Sequence, residues 1–535
     1  MRPHAYPRRN VRLSALRVSS VIIATVVAVI LAGCGASKSP ASPATSGPKH
    51  GGSLTVLEGA GYAGNWPGLD PATDTDGAAN QSFMDSVFGE LFELTSGGKT
   101  TGDLATGYAF TNGGKTVTIT LRQGVKFSDG TPLNANAVVF NWKRDLVATC
   151  TCKPVFLSSP VITATGPYTV SLTLSYVDAP FINALQGSVF NWIASPTALS
   201  KMGEKAFALK PVGAGPFTVV SDTPDSELVL KKNPLYWQAG LPYLDNLTFK
   251  TVAGDAQALT ALEAGSGQAY EGMSTPQLVS GFKAKFPTTA EPSTSPYDIQ
   301  LNTKIAPFNN KLAREAIYYA TDAALLDKSL FQDTYPVGES FTAPAGLFYE
   351  QNVPGYLTYD LAKAKALVHQ LGGLSFNLGT ISVPTAIELN EAIQTEWQAA
   401  GMKVSLSNYD LTGLIGAFTV GKWQAMLQTA GAYDPGTGVG VGFRFQSTSP
   451  FTGVHDPKLD AMLEAAGGTI NSAQRLADYD RVAADIAANA YGPFLFPIAG
   501  YNIAVKGVGA PGLTSALPVT DVNPEVLWQY AYNDG

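Results

Sequence analysis

The chain has 535 residues, and its 35 basic and 42 acidic side chains give a formal net charge of -7. An acidic surface argues against a nucleic-acid-binding protein, because phosphates attract basic patches. Roughly 500 residues remain after the N-terminal segment discussed next, which is more than one hydrophobic core supports. We therefore expect at least two lobes.

Residues 1–33 predict an export signal. They carry five arginines and no acid, and an apolar run at residues 18–30 is followed by small residues. This run is shorter than the roughly 20 apolar residues that cross a bilayer, so we expect a protein exported from the cytoplasm. Removing the signal takes the net charge from -7 to -12, which disfavours electrostatic adhesion to anionic lipid. Arg8 and Arg9 leave general and twin-arginine export both open.

The signal ends in Leu-Ala-Gly-Cys, which resembles the lipobox of bacterial lipoproteins. In a lipobox the cysteine thiol receives a diacylglyceryl group and becomes the new N-terminus, so the resemblance implies that Cys34 is a lipid anchor. The alternative is an ordinary signal peptide with an incidental cysteine. Residues 34–52 are rich in Ser, Pro, Ala and Gly and predict a flexible tether. We expect the protein at the outer face of the cytoplasmic membrane, in the cell envelope or periplasmic space.

In chain order, short strand-like runs alternate with helical ones, which predicts a mixed α/β protein. Residues 53–58 predict a strand, and residues 81–94 carry apolar side chains at helical spacing. Strict alternation at residues 116–121 and 168–174 predicts two half-buried strands. These two runs predict a small antiparallel subdomain.

The second half of the sequence predicts helices with defined ends. Asn309 precedes one amphipathic segment, and Asp360 opens another. A strand near Ile381, a helix at 386–400 and a strand at 402–407 follow, and this order predicts a βαβ unit with parallel strands. The whole pattern predicts two α/β lobes with a β-rich insertion.

The chemistry-bearing side chains argue against an enzyme. His369 and His455 stand near no recognisable nucleophile motif. Cys150 and Cys152 have no third cysteine or nearby histidine to complete a metal site, so we expect neither a metal nor a cofactor. A bridge between these two cysteines would close a very tight ring, and a disulfide and two free thiols remain equally open.

Several blocks of the sequence resemble bacterial solute-binding protein family 5, the oligopeptide, dipeptide and nickel-chelate receptors of ABC importers. Residues 121–133 (LRQGVKFSDGTPL) resemble its signature, and residues 211–217 (PVGAGPF) its glycine-rich crossing segment. Residues 232–237 (KNPLYW) and 302–322 resemble two further blocks, and the resemblance spans residues 51–532. The aromatic residues within the blocks are expected to be core and turn determinants: Phe127, Trp142, Tyr236 and Trp237.

The resemblance implies a two-lobed, hinged fold like that of periplasmic binding proteins, with a solute held between the lobes. Closure over the solute would present a docking surface to the membrane permease, whose ATPase is a separate subunit. We expect a monomer. The implied boundaries are residues 53–96, 212–296 and 498–535 for lobe I, 97–211 for its β-rich insertion, and 297–497 for lobe II.

The resemblance also implies which segments reach the cleft, where aromatic rings and backbone groups can hold an extended solute. Peptide receptors of the family carry an Asp that pairs with the α-ammonium of the peptide, and this chain has Gly431 at that position. Asp434 either replaces this anchor or forms an Asp-Pro turn. The predicted ligand contacts are Tyr62, Trp66, Asn191, Trp192, Tyr297, Asn302, Gly431, Tyr433 and Asp434.

The predicted function is therefore capture of a small solute for import. The solute is either an oligopeptide or a non-peptide of similar size, such as an opine, a glycoside or a metal chelate. A sensor or envelope chaperone with the same fold is an alternative. An envelope hydrolase is disfavoured, because the sequence contains no nucleophile with its base and no metal cluster.

Overall fold

A computed structural model describes residues 48–59, 68–74, 80–95, 98–148, 156–273, 275–429, 433–436, 441–449, 451–517 and 526–535. Several residues singled out from the sequence lie outside these ranges, namely Cys34, Tyr62, Trp66, Cys150, Cys152 and Gly431.

Strands from distant parts of the chain build the sheets. The strands are β1 Ser53–Gly59, β2 Phe92–Leu94, β3 Thr100–Gly102, β4 Ala105–Thr111, β5 Thr116–Leu121, β6 Val161–Gly166, β7 Thr169–Thr173, β8 Phe217–Thr223, β9 Glu227–Lys232, β10 Asn246–Val252, β11 Ala269–Met273, β12 Thr288–Glu291, β13 Tyr297–Leu301, β14 Ser375–Ile381, β15 Lys403–Tyr409, β16 Ala425–Thr429, β17 Gly500–Ala504, β18 Val508–Gly509 and β19 Tyr532–Asn533.

Helices lie between the strands along the whole described chain. They are α1 Gln81–Phe88, α2 Ala135–Val147, α3 Pro196–Met202, α4 Glu204–Leu209, α5 Asp255–Glu263, α6 Pro276–Lys283, α7 Lys311–Ala320, α8 Ala323–Leu326, α9 Leu361–Gln370, α10 Pro384–Ala399, α11 Leu411–Val420, α12 Val441–Phe445, α13 Pro457–Gly467 and α14 Ser472–Asn489. Within the described ranges, none of the helices combines the length and the apolar character that a membrane span requires.

The first lobe is built on a seven-stranded sheet in the order β12-β17-β11-β1-β10-β9-β8. β1 pairs in parallel with both β10 and β11. Side chains of a strand alternate between the two faces, so Leu54 and Val56 enter one hydrophobic core while Leu57 enters another. Apolar cover on both faces explains why the middle of this sheet is buried.

A second, antiparallel sheet forms the β-rich insertion, in the order β4-β5-β7-β6. β5 pairs with β4 from Thr116 to Leu121 and with β7 from Thr116 to Thr120. Val117, Ile119 and Leu121 on β5 face the core, while the threonines between them are less buried. The alternation read from the sequence thus predicted these two antiparallel strands correctly, and the bounds of the inserted subdomain stay a prediction.

The second lobe contains a four-stranded sheet in the order β13-β16-β14-β15. β14 and β15 are parallel and joined by α10, which confirms the predicted βαβ unit. Asp360 caps α9 as expected, because its side chain accepts from the Lys363 N–H at 3.0 Å. At α7 the capping side chain is Asn310, one residue beyond the expected Asn309.

The predicted helix at residues 81–94 is wrong in its second half. α1 ends at Phe88, because Gly89 adopts a φ of 65° that breaks the helical path. The chain then turns, and Phe92–Leu94 becomes β2, which pairs with β3. The periodicity of the apolar residues alone did not separate this short helix from the strand that follows it.

Candidate functional site

The candidate site lies at the boundary between the two lobes, where the chain crosses twice. One crossing leads from β12 into β13, and the other leads into β17. The two crossings run side by side, because the Tyr297 N–H donates to the Phe496 carbonyl at 3.0 Å and the Leu495 N–H donates to the Tyr297 carbonyl at 2.8 Å. Tyr297 therefore belongs to the hinge, where burial raises the pKa of its phenol to about 12.

Asp434 is held by an arginine of its own lobe. Its Oδ1 accepts from Arg475 Nη2 at 2.5 Å, and its Oδ2 accepts from Nη1 at 3.2 Å. Both side chains are buried, with 0% and 7% exposure. The Arg475 guanidinium also lies over the Phe348 ring, 4.6 Å from its centroid. A buried, bidentate ion pair of this kind fixes the orientation of both side chains.

The same carboxylate is also contacted by the first lobe. Asn183 lies in a short 3-10 turn of the insertion, and its Nδ2 donates to Asp434 Oδ2 at 2.8 Å. Asn183 Oδ1 in turn accepts from Thr100 Oγ1 at 2.7 Å. Asp434 thus joins the two lobes instead of presenting a free carboxylate.

A second acid, the half-buried Asp178, lies close enough to this pair to interact with both partners. The pKa of Asp178 is raised to about 7, mainly by burial and in part by the negative charge of Asp434, while Arg475 opposes the shift. The next residue, Ala179, donates its N–H across the boundary to the Gly467 carbonyl at 2.9 Å. The segment around Asp178 is therefore part of the contact between the lobes.

Tyr433 makes a further contact across the boundary. Its hydroxyl donates to the Gly98 carbonyl in the first lobe, and its own carbonyl accepts from the Leu347 N–H at 2.9 Å. Burial raises the pKa of this phenol, and the charge of Asp434 adds to the rise. We call the interlobe latch the residues of these two hydrogen bonds across the boundary together with Arg475, which holds Asp434 from within the second lobe: Gly98, Asn183, Tyr433, Asp434 and Arg475.

Asn191 and Trp192 lie inside the first lobe. Asn191 Nδ2 donates to Glu90 Oε1 at 2.7 Å and to the Phe92 carbonyl at 2.9 Å. The Trp192 ring is fully buried, and its Nε1 donates to Asp85 Oδ1 at 2.6 Å. The polar groups of both side chains are hydrogen-bonded within the protein, and their contact with a solute stays a prediction.

Asn302 lies at the opposite end of β13 from Tyr297. Its Nδ2 donates to the Trp423 carbonyl at 2.8 Å and to the Gly421 carbonyl at 3.3 Å. Its Oδ1 accepts from the Lys304 N–H at 3.1 Å. These contacts hold a turn of the second lobe, so a ligand role for Asn302 also stays a prediction.

Three glutamates occupy the carboxyl edge of the first sheet. β1, β11 and β12 run in one direction, because β11 is parallel to β1 and both β11 and β12 are antiparallel to β17. Glu58, Glu271 and Glu291 lie at or near the carboxyl ends of these strands and are 6%, 4% and 0% exposed. In open α/β sheets this edge is where ligands bind. We call the three residues the glutamate edge.

Sequence reasoning found part of this boundary and missed the rest. Tyr433 and Asp434 were predicted as ligand contacts and lie together in the latch, where their contact with a solute stays a prediction. Asn183, Arg475 and the glutamate edge were not predicted. The one local signal for the glutamates is an acid in an otherwise apolar strand, as in the run AYEGM, of which every residue is buried. Within the described residues, no three His, Cys, Asp or Glu side chains are arranged to hold a metal ion.

Comparison with known proteins places the chain in a family. The sequence profile of the bacterial extracellular solute-binding proteins, family 5 Middle, matches residues 99–451. The glutathione-binding protein GsiB of Salmonella typhi is 32% identical over 353 residues, which cover 65% of this chain and 68% of that protein.

Solved structures share the fold. DppA from Helicobacter pylori, in complex with the peptide STSA, has a TM-score of 0.74 at 23% identity and covers 91% of this chain and 99% of its own. AgaA from A. tumefacien R10, in complex with agropinic acid, has a TM-score of 0.74 at 22% identity and covers 89% and 99%. These matches confirm the predicted two-lobed, periplasmic-binding-protein-like fold. The chain belongs to the bacterial extracellular solute-binding proteins of family 5, which are the transport binding proteins of ABC importers and not enzymes.

Proposed function

We propose that this protein captures a peptide or peptide-sized solute between its two lobes and delivers it to a membrane permease served by a separate ATPase. The observation that carries the proposal is the interlobe latch. Asp434 of the second lobe accepts from Asn183 of the first, and Tyr433 donates to the Gly98 carbonyl. We expect these contacts to break when the lobes open, so a solute that touches both lobes should favour the latched state.

The relatives support a solute of peptide size. GsiB, at 32% identity, is named for glutathione, which is itself a tripeptide. The structural neighbours include DppA with a bound peptide, whereas AgaA holds agropinic acid. Peptide therefore leads the proposal, and a non-peptide such as an opine is the outcome to test against it.

The proposal is tested by identifying what the protein carries. The protein is purified under native conditions, the bound solute is released by acid, and its mass is measured. The protein is then unfolded to remove the solute and refolded. Calorimetry on this solute-free protein compares its affinities for Ala-Ala-Ala, glutathione and agropinic acid. Binding of either peptide supports the proposal, whereas binding of agropinic acid alone would overturn its peptide clause.

Closure is measured on the same material. Small-angle scattering is expected to give a smaller radius of gyration with the bound peptide than without it. Only contacts across the cleft between the lobes distinguish the closed state from the open one. The forward scattering also gives the mass, which we expect to be that of a monomer. An unchanged radius at saturating peptide would contradict capture between moving lobes.

We further propose that lipid on Cys34 holds the exported protein at the outer face of the cytoplasmic membrane. The support is the Leu-Ala-Gly-Cys end of the signal segment. Cys34→Ala is expected to leave the protein unlipidated, because no thioether can form, and hence released or retained as precursor. Radiolabelled palmitate should enter the natural protein and not the variant. Equal labelling of both would refute the assignment.

A further inference from the structure

The segment that follows β7 packs tightly on the second lobe. The Ala179 N–H donates to the Gly467 carbonyl at 2.9 Å. The next residue, Pro180, is buried against Gly436, where an added Cβ would come within 2.9 Å of the Pro180 ring. This contact leaves no room for a side chain, because carbon atoms in contact lie about 3.5–4.0 Å apart. Asp178 directly precedes these two residues and is carried to the boundary with them.

At the boundary Asp178 meets the charged groups of the latch. It interacts electrostatically with Asp434 and with Arg475. Both Nη atoms of Arg475 are already hydrogen-bonded to Asp434. Within the described residues Asp178 forms no ion pair of its own. One cation therefore faces two acids where the lobes meet.

The other titratable groups that face Asp178 do not change this balance. Among the described residues they are Tyr176 on its own segment and Tyr479 on α14. Burial raises the pKa of both phenols, and the charge of Asp178 adds to the rise, so both stay neutral near pH 7. An ionised Asp178 in the closed protein thus leaves one negative charge without compensation at a half-buried boundary, which is unfavourable. The pKa of Asp178, raised to about 7, agrees with this geometry.

We propose that closure of the lobes takes up a proton on Asp178, so that mild acid favours the closed, solute-bound state. When the lobes open, Asp178 separates from Asp434 and is surrounded by water, where an aspartate is ionised above about pH 4. Closure brings the carboxyl group back against Asp434, and a proton then offsets the repulsion. The inference rests on the proposed function, since it names a regulator of the same closure.

The direction of the pH dependence follows from the two states. Between about pH 4 and pH 7 the closed state holds a proton that the open state has released, so affinity falls as the pH rises through this range. Above pH 7 neither state holds the proton, and affinity becomes constant. From pH 5.5 to pH 7 the expected loss of affinity is about tenfold.

The test is calorimetry with Ala-Ala-Ala at pH 5.5 and pH 7, where the termini of this peptide keep most of their charge. Each titration is carried out in two buffers of different ionisation enthalpy, which gives the number of protons taken up. The natural protein should bind about tenfold more tightly at pH 5.5. It should take up nearly one proton at pH 5.5 and about half a proton at pH 7.

A variant separates this role from a structural one. Asp178→Asn keeps the shape of the side chain and removes its charge, so it should bind Ala-Ala-Ala at least about tenfold more tightly than the natural protein at pH 7. Its affinity should not depend on pH in this range, and its binding should take up no proton beyond any that the peptide itself exchanges. A residue that only held the fold would lose affinity on substitution. The matched control is Asp225→Asn, in an exposed turn with a φ of 59° that asparagine also adopts, and it should follow the natural protein.

The outcomes distinguish the two proposals. If Ala-Ala-Ala binds equally well at both pH values and without proton uptake, the inference is wrong and peptide capture stands. The inference is also wrong if Asp178→Asn keeps the pH dependence of the natural protein.

If neither Ala-Ala-Ala nor glutathione binds, the peptide clause of the proposed function is wrong. The natural protein with its co-purified solute is then dialysed at pH 5.5 and pH 7, and the retained solute is measured by mass spectrometry. Greater retention at pH 5.5 in the natural protein and not in Asp178→Asn supports proton uptake on closure, whereas equal retention overturns it. If the protein holds no solute at all, capture is wrong, and the inference falls with it.

Discussion

Two groups of buried acids lie on the boundary between the lobes, and the protein treats them differently. Asp434 of the interlobe latch receives both terminal nitrogens of Arg475 and the amide of Asn183. In the glutamate edge, Glu271 receives one hydroxyl and Glu291 one backbone N–H, and within the described residues neither meets a cation. The charge of the first group is neutralised by the chain itself, whereas burial without a cation raises the pKa values of the second group.

This difference separates structure from recognition. A carboxylate whose hydrogen bonds are filled by its own protein holds parts of the fold together, so we propose that Asp434 serves closure, while its contact with a solute stays a prediction. A buried carboxyl with free oxygens and a raised pKa is typical of a functional site. Variants of each group should therefore change different properties of the protein.

The largest effect is expected when the latch loses its arginine. Arg475→Met leaves Asp434 buried without a cation, which typically costs about 3–5 kcal/mol. The matched control is Arg481→Met, since Arg481 is 63% exposed in its ion pair with Asp478 and such pairs contribute about 1 kcal/mol or less. Urea unfolding, followed by circular dichroism, measures the free energy of unfolding of the natural protein and of both variants. Equal losses in the two variants would contradict a structural role for the latch.

The second prediction concerns pH and the glutamate edge. The pKa of Glu291 is raised to about 9 in the folded protein, against 4.5 for an exposed glutamate. Between pH 4.5 and pH 9 the folded state therefore holds a proton that the unfolded state has released. Stability from this group is therefore complete below pH 4.5 and is lost as the pH rises toward 9, by about 1.4 kcal/mol per pH unit.

Glu291→Gln removes this dependence. Between pH 6 and pH 8 the natural protein should lose about 3 kcal/mol relative to the variant, measured by urea unfolding at each pH. Glu391→Gln, on an exposed face of α10, should follow the natural protein. Parallel profiles for the natural protein and Glu291→Gln would mean that this carboxyl ionises normally.

The sequence predicted what local patterns control. Alternation in β5 and the capping Asp360 of α9 gave correct elements because each depends on residues close in the chain. Phe127 and Trp142 were expected in the core and are fully buried. The family blocks predicted the two-lobed fold, whereas the exact boundaries between the lobes stay predictions.

The boundary between the lobes could be predicted only in part. Asp434 stands out as an Asp-Pro turn, yet its partners lie 41 residues away at Arg475 and 251 residues away at Asn183. The glutamate edge likewise needs the strand order, which places residues 58, 271 and 291 on one edge of a sheet. Pairings of this kind depend on topology, and periodicity carries no information about them.

A smaller effect is expected from Asn183→Ala, which removes the amide that joins the first lobe to Asp434. The closed state loses a hydrogen bond to a charged group, about 1.5 kcal/mol, so affinity for the co-purified solute should fall about tenfold. The stability of the empty protein should stay within about 1 kcal/mol, because water can replace this partner when the lobes open. Calorimetry measures the affinity, and thermal unfolding measures the stability of the empty protein. A variant with full affinity would show that the contact does not contribute to closure.

The smallest effect is expected from Tyr433→Phe, which deletes only the hydroxyl that donates to the Gly98 carbonyl. A neutral hydrogen bond contributes about 1 kcal/mol, so affinity should fall about fivefold while the buried ring keeps its packing. Tyr433→Ala should weaken binding further, because it also removes the ring.

Trp192→Ala tests whether the Trp192 ring contacts the solute. A loss of affinity as large as that of Tyr433→Ala, with the stability of the solute-free protein unchanged, would support such a contact. A loss of about 3–5 kcal/mol in the empty Trp192→Ala protein would instead identify its ring as core, as its full burial suggests.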